Sequence, residues 1–349
     1  MLQFFKEKNV FITGHTGFQG SWLSLILKSL GANVTGYALQ AEEISHYNLI
    51  NLDQKINSIC GNINDLQNLQ NNIEQSNPDI IFHLAAQPIV RRSYRNPIET
   101  WQTNVIGTLN VLESTKNLTN LRAIVNITTD KCYENKEWCW AYRENDQLGG
   151  HDPYSASKAA VEILSESYKK SFLRARNVNM ATVRAGNVIG GGDFGEDRLI
   201  TTIIDAIKNE KELQIRNPKS VRPWQHVIEA LYGYMILAER LYNSSGYDKS
   251  YNLGPNQDCQ MTVMQIVDIF KKSFNNLRYK INIDTNNPHE AKMLTLDSSL
   301  AKNELNWQPL FGIEKTLTMT IEWYKSYVNG LDIGDITMLH IDEFLSLVQ

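Results

Sequence analysis

The sequence is sparing with cysteine. It has four in 349 residues, Cys60, Cys132, Cys139 and Cys259, and no Cys-x-x-Cys spacing. That excludes a disulfide framework and a zinc ribbon, leaves no metal site to expect, and suits a reducing cytoplasm. Charge of one sign is also missing. Lys and Arg total 34 against 38 Asp and Glu, interspersed, for a formal net charge of -4. Such a balance gives no electrostatic reason to expect a nucleic acid or an anionic membrane as partner. No apolar run is long enough to span a bilayer. The first residues, Met1-Leu2-Gln3-Phe4-Phe5-Lys6-Glu7-Lys8, lack a basic segment followed by an apolar one, so no secretory signal is expected. Internal repeats and low-complexity stretches are absent.

What is present is enough chain for one large or two medium domains, organised around Thr13-Gly14-His15-Thr16-Gly17-Phe18-Gln19-Gly20. Asn9-Val10-Phe11-Ile12 before it reads as a strand. Ser21 to Leu30 after it reads as a buried helix ending at Gly31. Glycines between strand and helix let the backbone turn tightly and approach a pyrophosphate, while the helix start offers free N–H groups. The spacing is G-x-x-G-x-x-G rather than the commoner G-x-G-x-x-G, but the flanking elements favour a nucleotide site over a structural turn.

Strand and helix patterns then alternate. Asn33 to Leu39 and Lys55 to Gly61 read as strands, Leu66 to Ser76 as a helix, and Ile80 to Ala86 as a strand buried on both faces. Asn104 to Leu112 is helical, and Arg122 to Thr129 is the next strand. The alternation predicts an α/β, Rossmann-like doubly wound parallel sheet with ligands beyond the carboxyl ends of its strands. Where an Asp or Glu often meets an NAD ribose, this chain has Tyr37-Ala38-Leu39, with Glu42 and Glu43 slightly later. That position chooses neither NAD nor NADP. His83 reads as a packed strand residue.

Tyr154 and Lys158 open a helix behind Pro153 and share one of its faces. An ammonium beside a phenol lowers the phenol's pKa and yields a base usable near neutrality. Thr129, Asp130 and Lys131 stand at the preceding strand end. Val178 to Arg184 is a further strand. The glycine-dense Gly186 to Asp193 reads as a loop that ends the alternation. Beyond it, helices (Leu199 to Ile207, Ile228 to Leu241, Val263 to Phe274 with Thr262 as cap) mix with short strands (Leu213 to Ile215, Ser250 to Gly254). Residues 1–185 therefore read as the nucleotide-binding domain. Residues 186–330 read mainly as a smaller C-terminal α+β substrate lobe with segments crossing between the two, and 331–349 as a tail packing on the body or on another subunit.

The glycine loop, Thr129, Tyr154 and Lys158 together resemble the extended short-chain dehydrogenase/reductase superfamily. Gly14 to Leu23, Leu84-Ala85-Ala86-Gln87-Pro88, Thr129-Asp130-Lys131-Cys132-Tyr133-Glu134-Asn135 and Arg222-Pro223-Trp224-Gln225-His226-Val227 are similar to the CDP-glucose 4,6-dehydratases within it. The dTDP-glucose branch carries Asp-Glu where this chain has Asp130-Lys131. The resemblance implies a nucleotide-sugar dehydratase that takes CDP-glucose to CDP-4-dehydro-6-deoxyglucose with tightly held NAD, in the cytoplasm, as a homo-oligomer (dimer or tetramer). It implies cofactor contacts at Gly14, Gly17, Phe18, Gln19, Gly20, Asn62, Ile63, Leu84, Ala85, Ala86, Tyr154 and Lys158. Catalysis would fall to Tyr154 as base at O4, with Thr129 and Lys158 supporting it. Asp130 would be the acid at C6, and Lys131 the base at C5 or an electrostatic partner. A base role for Lys131 requires a dry pocket and the nearby Lys158 charge to keep the amine neutral. Gln87, Asn187, Arg198 and Arg222 are the substrate-contact candidates, and Val161, Leu164 and Tyr168 the candidates for a subunit contact. A sugar-nucleotide epimerase or a non-catalytic dinucleotide sensor would share the fold but make no use of Asp130-Lys131 for elimination.

Overall fold

The computed structural model describes residues 3–282 and 293–348. In chain order the first half runs β1 (Asn9–Thr13), α1 (Phe18–Ser29), β2 (Asn33–Ala38), β3 (Asn57–Cys60), α2 (Leu66–Ser76), β4 (Ile80–His83) and α3 (Val90–Arg95). There follow α4 (Pro97–Trp101), a π turn over Gln102–Ile106, α5 (Gly107–Glu113), β5 (Ala123–Ile127), α6 (Pro153–Tyr168) and β6 (Asn179–Ala185). The second half holds β7 (Asn187–Ile189), α7 (Leu199–Lys208), β8 (Glu212–Ile215), β9 (Val221–His226), α8 (Val227–Asn243), β10 (Ser250–Leu253), β11 (Gln260–Thr262), α9 (Val263–Ser273) and β12 (Arg278–Ile281). Two helices close it, α10 (Ile313–Val328) and α11 (Ile333–Leu347).

Seven strands form one parallel sheet in the order β10-β6-β5-β4-β1-β2-β3. Its strands alternate between two buried faces, as a sheet covered by helices on both sides requires. Val10, Ile12, Ile80, Phe82, Val125 and Val183 enter one core cluster with α1 and α8, while Phe11, Ile81, Ile124 and Met180 enter the other. The order reverses between β1 and β4, and the crevice of a doubly wound sheet opens there. Thr13 closes this point, its carbonyl accepting from Leu84 N at 3.1 Å and its hydroxyl from Ala85 N at 3.2 Å.

The second half does not stand apart from this sheet. β10 adds to β6 at the sheet edge, and α8 packs on β5 and β6. A three-stranded sheet β11-β9-β7 and the parallel pair β12-β8 make up the rest. The glycine-dense loop therefore contains a strand. Asn187 to Ile189 pair with Trp224 to His226, because turning the chain at Gly186 brings its freed N–H and C=O groups alongside β9. Thr262 caps α9 in a reciprocal capping box with Gln265.

The tail packs on the body. Ile333, Ile341 and Phe344 are buried, and Thr337 accepts from Trp323 Nε1 at 2.9 Å. Two of the residues expected at a subunit contact are instead interior. Val161 and Tyr168 are 1% and 3% exposed, whereas Ile163 on the outer face is 63% exposed. Among the described residues no helix is long and apolar enough to cross a membrane.

Candidate active site

One cavity of about 1370 Å³ runs along the carboxyl ends of the parallel strands. At one end lies the glycine loop. Gly14 has φ +79°, and a Cβ there would sit 2.7 Å from Ala85 N, so only glycine lets β1 and β4 exits meet this closely. α1 starts at Phe18, three residues earlier than its apolar pattern indicates, so Gly20 lies inside its first turn. Gly17 is the N-cap without any side-chain capping bond, and the first turn carries no acid. The first N–H groups of a twelve-residue helix thus face a cavity lined by Gly14, Gly17, Phe18, Gln19 and Gly20. Asn62 and Ile63 after β3, and Leu84, Ala85 and Ala86 after β4, line the same wall. Leu39 follows β2 there, its carbonyl held by the Thr16 hydroxyl at 3.0 Å. Glu42 and Glu43 are exposed and outside the cavity lining.

The middle of the cavity collects Thr129, Asp130, Tyr154 and Lys158, all buried. Asp152 accepts from Ser155 N at 2.9 Å and Pro153 takes the first helical position, which fixes the start of α6 and aims Tyr154. Burial pushes the Tyr154 phenol up to about 12; the Thr129 hydrogen bond and the Arg198 charge oppose it. Burial lowers Lys158 to about 8, and its ammonium donates to the Ile127 carbonyl at 3.1 Å. The counterweight to burial at Tyr154 therefore comes from Thr129 and Arg198, where the spacing pointed to Lys158. Burial also raises the Asp130 carboxyl, with the charges of Lys131 and Arg222 and a 3.0 Å bond from Thr129 Oγ1 acting the other way. Lys131 lines the cavity edge but is exposed, so the dry surroundings expected for it are not there.

Beneath the site, Glu162 and Arg184 form an ion pair at 2.8 Å, their side chains 2% and 3% exposed. Glu162 also accepts from Thr128, from Thr182 at 2.7 Å and from Ser250 at 3.0 Å. Burial alone would raise this carboxyl, but the Arg184 charge and these bonds hold it below its ordinary value. The network ties α6 to β6 and β10, and so sets where Tyr154 stands.

The far end is lined by Asn187, Arg198, Arg222, Arg216 and Arg91. Arg198 pairs with Asp193 at 2.7 Å, and Asp197 lies between Arg91 and Arg216 at 3.7 and 3.6 Å. Gln87 is outside the cavity lining. Its amide donates to Thr100 at 2.8 Å and accepts from Ile89 N at 2.6 Å, which makes it a brace for the loop after β4 in place of the expected substrate contact.

Residues 11–320 match the family described as GDP-mannose 4,6 dehydratase. The chain is also 45% identical over 350 residues to CDP-glucose 4,6-dehydratase of Salmonella typhimurium, covering 98% of each. It belongs to the nucleotide-sugar 4,6-dehydratases. With dTDP-glucose 4,6-dehydratase of the same organism the dehydratase shares 25% identity over 357 residues, 93% of this chain and 96% of that one. Its fold is that of UDP-glucuronic acid 4-epimerase from Bacillus cereus, solved with UDP-glucuronic acid and NAD (TM-score 0.77, 21% identity, 91% of this chain and 99% of that one).

Several cavity residues of the dehydratase escaped the sequence reading. Asp193, Asp197, Arg91 and Arg216 carry no local pattern that separates them from solvated charges. Asp193 gave one usable signal, a carboxylate directly after three glycines and five residues before Arg198. Tyr234, also at the cavity wall, sits on the apolar pattern of α8 and reads as core. Among the described residues no group of three or more His, Cys, Asp or Glu side chains is arranged to hold a metal.

Proposed function

We propose that this chain converts CDP-glucose to CDP-4-dehydro-6-deoxyglucose with NAD as resident cofactor. The observation that carries the proposal is a buried carboxyl, Asp130, raised by burial, beside a buried phenol, Tyr154, in a cavity that also receives an uncapped helix N-terminus. The near full-length identity to the CDP-glucose enzyme, against 25% to the dTDP-glucose enzyme, supports the choice of nucleotide.

The residues present fit a dinucleotide. Its diphosphate would lie on the N–H groups of Phe18, Gln19 and Gly20, reached over Gly14 and Gly17. Asn62 and Ile63 would flank one end, and Leu84, Ala85, Ala86, Tyr154 and Lys158 the other. When bound, NAD supplies the hydride acceptor and donor for the sugar carbons.

The chain's own part is proton handling. Tyr154, as phenolate, takes the O4 proton, with Thr129 and the Arg198 charge favouring the ionised form. Lys158 supplies a hydrogen-bond donor at the ribose. Asp130, its carboxyl raised by burial, gives its proton to the C6 hydroxyl so that it leaves as water. The C5 proton passes to water at the open edge of the cavity, the C–H electrons form the enolate, and exposed Lys131 contributes positive charge to it. Asn187, Arg198 and Arg222 hold the CDP moiety, the arginines through bidentate bonds to its diphosphate. We place the enzyme in the cytoplasm, as a homo-oligomer. Exposed Ile98, Trp101 and Ile106, on a segment packed against α6, give a second copy an apolar face to cover.

The test is incubation with CDP-glucose, dTDP-glucose and UDP-glucose separately, following the 4-keto-6-deoxy product by mass spectrometry. CDP-glucose is expected to be turned over fastest. Faster conversion of either other nucleotide sugar overturns the substrate assignment, and absence of elimination product from all three overturns the reaction.

A further inference from the structure

Tyr234 is a polar residue on a helix whose buried side chains are mostly apolar core. α8 buries Leu231, Tyr234, Met235, Leu237 and Ala238 and packs on α1 and on β5. The Tyr234 side chain is fully buried, yet it reaches the cavity wall, where its hydroxyl donates to Gln19 Oε1 at 3.0 Å. Gln19 is the second residue of α1, in the turn that lacks a side-chain cap.

A phenol has one hydrogen to donate. Burial keeps the Tyr234 phenol far above its ordinary value, so it is a neutral donor across the working pH range. That hydrogen goes to the carboxamide oxygen of Gln19. With that oxygen held by α8, the amide NH2 is left for another partner, and Gln19 lines the cavity. An unrestrained glutamine would lose rotamer freedom on binding a ligand there, whereas a held one has lost it on folding.

We infer that Tyr234 is a positioning residue for the cofactor: it pins the Gln19 carboxamide so that its NH2 joins the N–H groups of the first turn of α1 as a side-chain donor to the dinucleotide diphosphate. The inference rests on the NAD reading above. It gives α8, most of whose buried side chains serve the core, a direct part in binding.

The experiment titrates NAD into the cofactor-free full-length chain. Wild type, Tyr234→Phe, Gln19→Ala, the double variant and Gln19→Glu are compared, each with its unfolding temperature measured without NAD. One hydrogen bond of this kind is worth about a five- to tenfold change. Tyr234→Phe is expected to weaken NAD by that factor. Gln19→Ala should do so at least equally, and the double variant should be no weaker than Gln19→Ala. Gln19→Glu keeps an acceptor for Tyr234 but replaces the donor with a negative charge, and should weaken NAD more than tenfold. Additive effects in the double variant, or wild-type affinity in Gln19→Glu or Tyr234→Phe, overturn the inference. If wild type itself takes up no NAD, the cofactor reading fails and the inference with it.

Discussion

Gly20 offers the sharpest test of the cofactor site, because its geometry sets a magnitude. A Cβ on Gly20 would lie 2.1 Å from the Gly14 carbonyl oxygen and 2.8 Å from both Gly14 C and His15 Cα. Those are backbone atoms in a loop closed on β4, so they cannot swing aside as a side-chain end would. In a close-packed interior, Gly20→Ala is relieved only if α1 retreats by about 1 Å. The N–H groups of Phe18 and Gln19 retreat with it. A hydrogen bond of about 2.9 Å becomes about 3.9 Å, beyond bonding range. Two bonds to an anion, at about 1.5–3 kcal/mol each, total about 3–6 kcal/mol, or about 10²- to 10⁴-fold in NAD affinity. Gly17→Ala separates helix displacement from direct contact. Its Cβ would stand 3.3 Å from Gly14 O, and its φ of -78° and ψ of 171° suit alanine, so α1 has little cause to move. Any loss of NAD affinity there comes from the methyl group meeting the diphosphate that is reached over Gly17. Titration calorimetry gives the affinities and circular dichroism checks that both variants fold. Gly20→Ala binding NAD as well as wild type would refute the placement of the diphosphate on this turn.

Tyr154→Phe should fold and bind NAD but lose turnover, since it removes only the proton carrier; substantial product formation would remove Tyr154 as the base. Asp130→Asn should slow water loss by about a hundred- to ten-thousand-fold, so that quenched single turnovers contain the 4-keto sugar with its C6 oxygen retained; normal 6-deoxy product would reassign the acid. Lys131→Met should slow elimination while deuterium from solvent still enters C5, and loss of that exchange would make Lys131 the base in place of an electrostatic partner. Stability should fall with acid. Burial depresses His46, His83 and His226 to about 3 and His15 and His340 to about 4, so the unfolded chain takes up protons first as pH falls through 6.5. The stabilisation is complete above that value and is lost between 6.5 and the folded values, at up to about 1.4 kcal/mol per pH unit for each histidine. A Tm equal at pH 7 and pH 4.5 would contradict this.

Period and punctuation made the Rossmann half legible. Leu66–Ser76 emerges with the bounds its pattern implies, and β1, β2, β4 and β5 fall within the stretches read as strands, apart from Thr13 at the end of β1. Local chemistry decides these elements: β-branched and apolar runs, turn residues, and caps such as Asp152 and Thr262 act within a few residues. Tyr154 and Lys158 were readable from one helix face, whereas Thr129 and Asp130 joined them only through the family resemblance, and all four line one cavity. What only the tertiary structure decided is where long-range contacts assign each group its surroundings. β10 joins the sheet 65 residues after β6 ends, as Ser250 follows Ala185. Nothing local to Ser250 announces its partner. Lys131 is exposed although Asp130 beside it is buried, because adjacent side chains leave the chain in different directions. Gln87 is taken by Thr100 and Ile89, and Val161 and Tyr168 are buried within the fold, so residue types suited to ligand or partner contact are used inside. Tyr234 meets Gln19 across 215 residues. Sequence spacing fixes which side chains share a face; only the packed fold fixes which of them are dry, charged or already bonded, and that sets their chemistry.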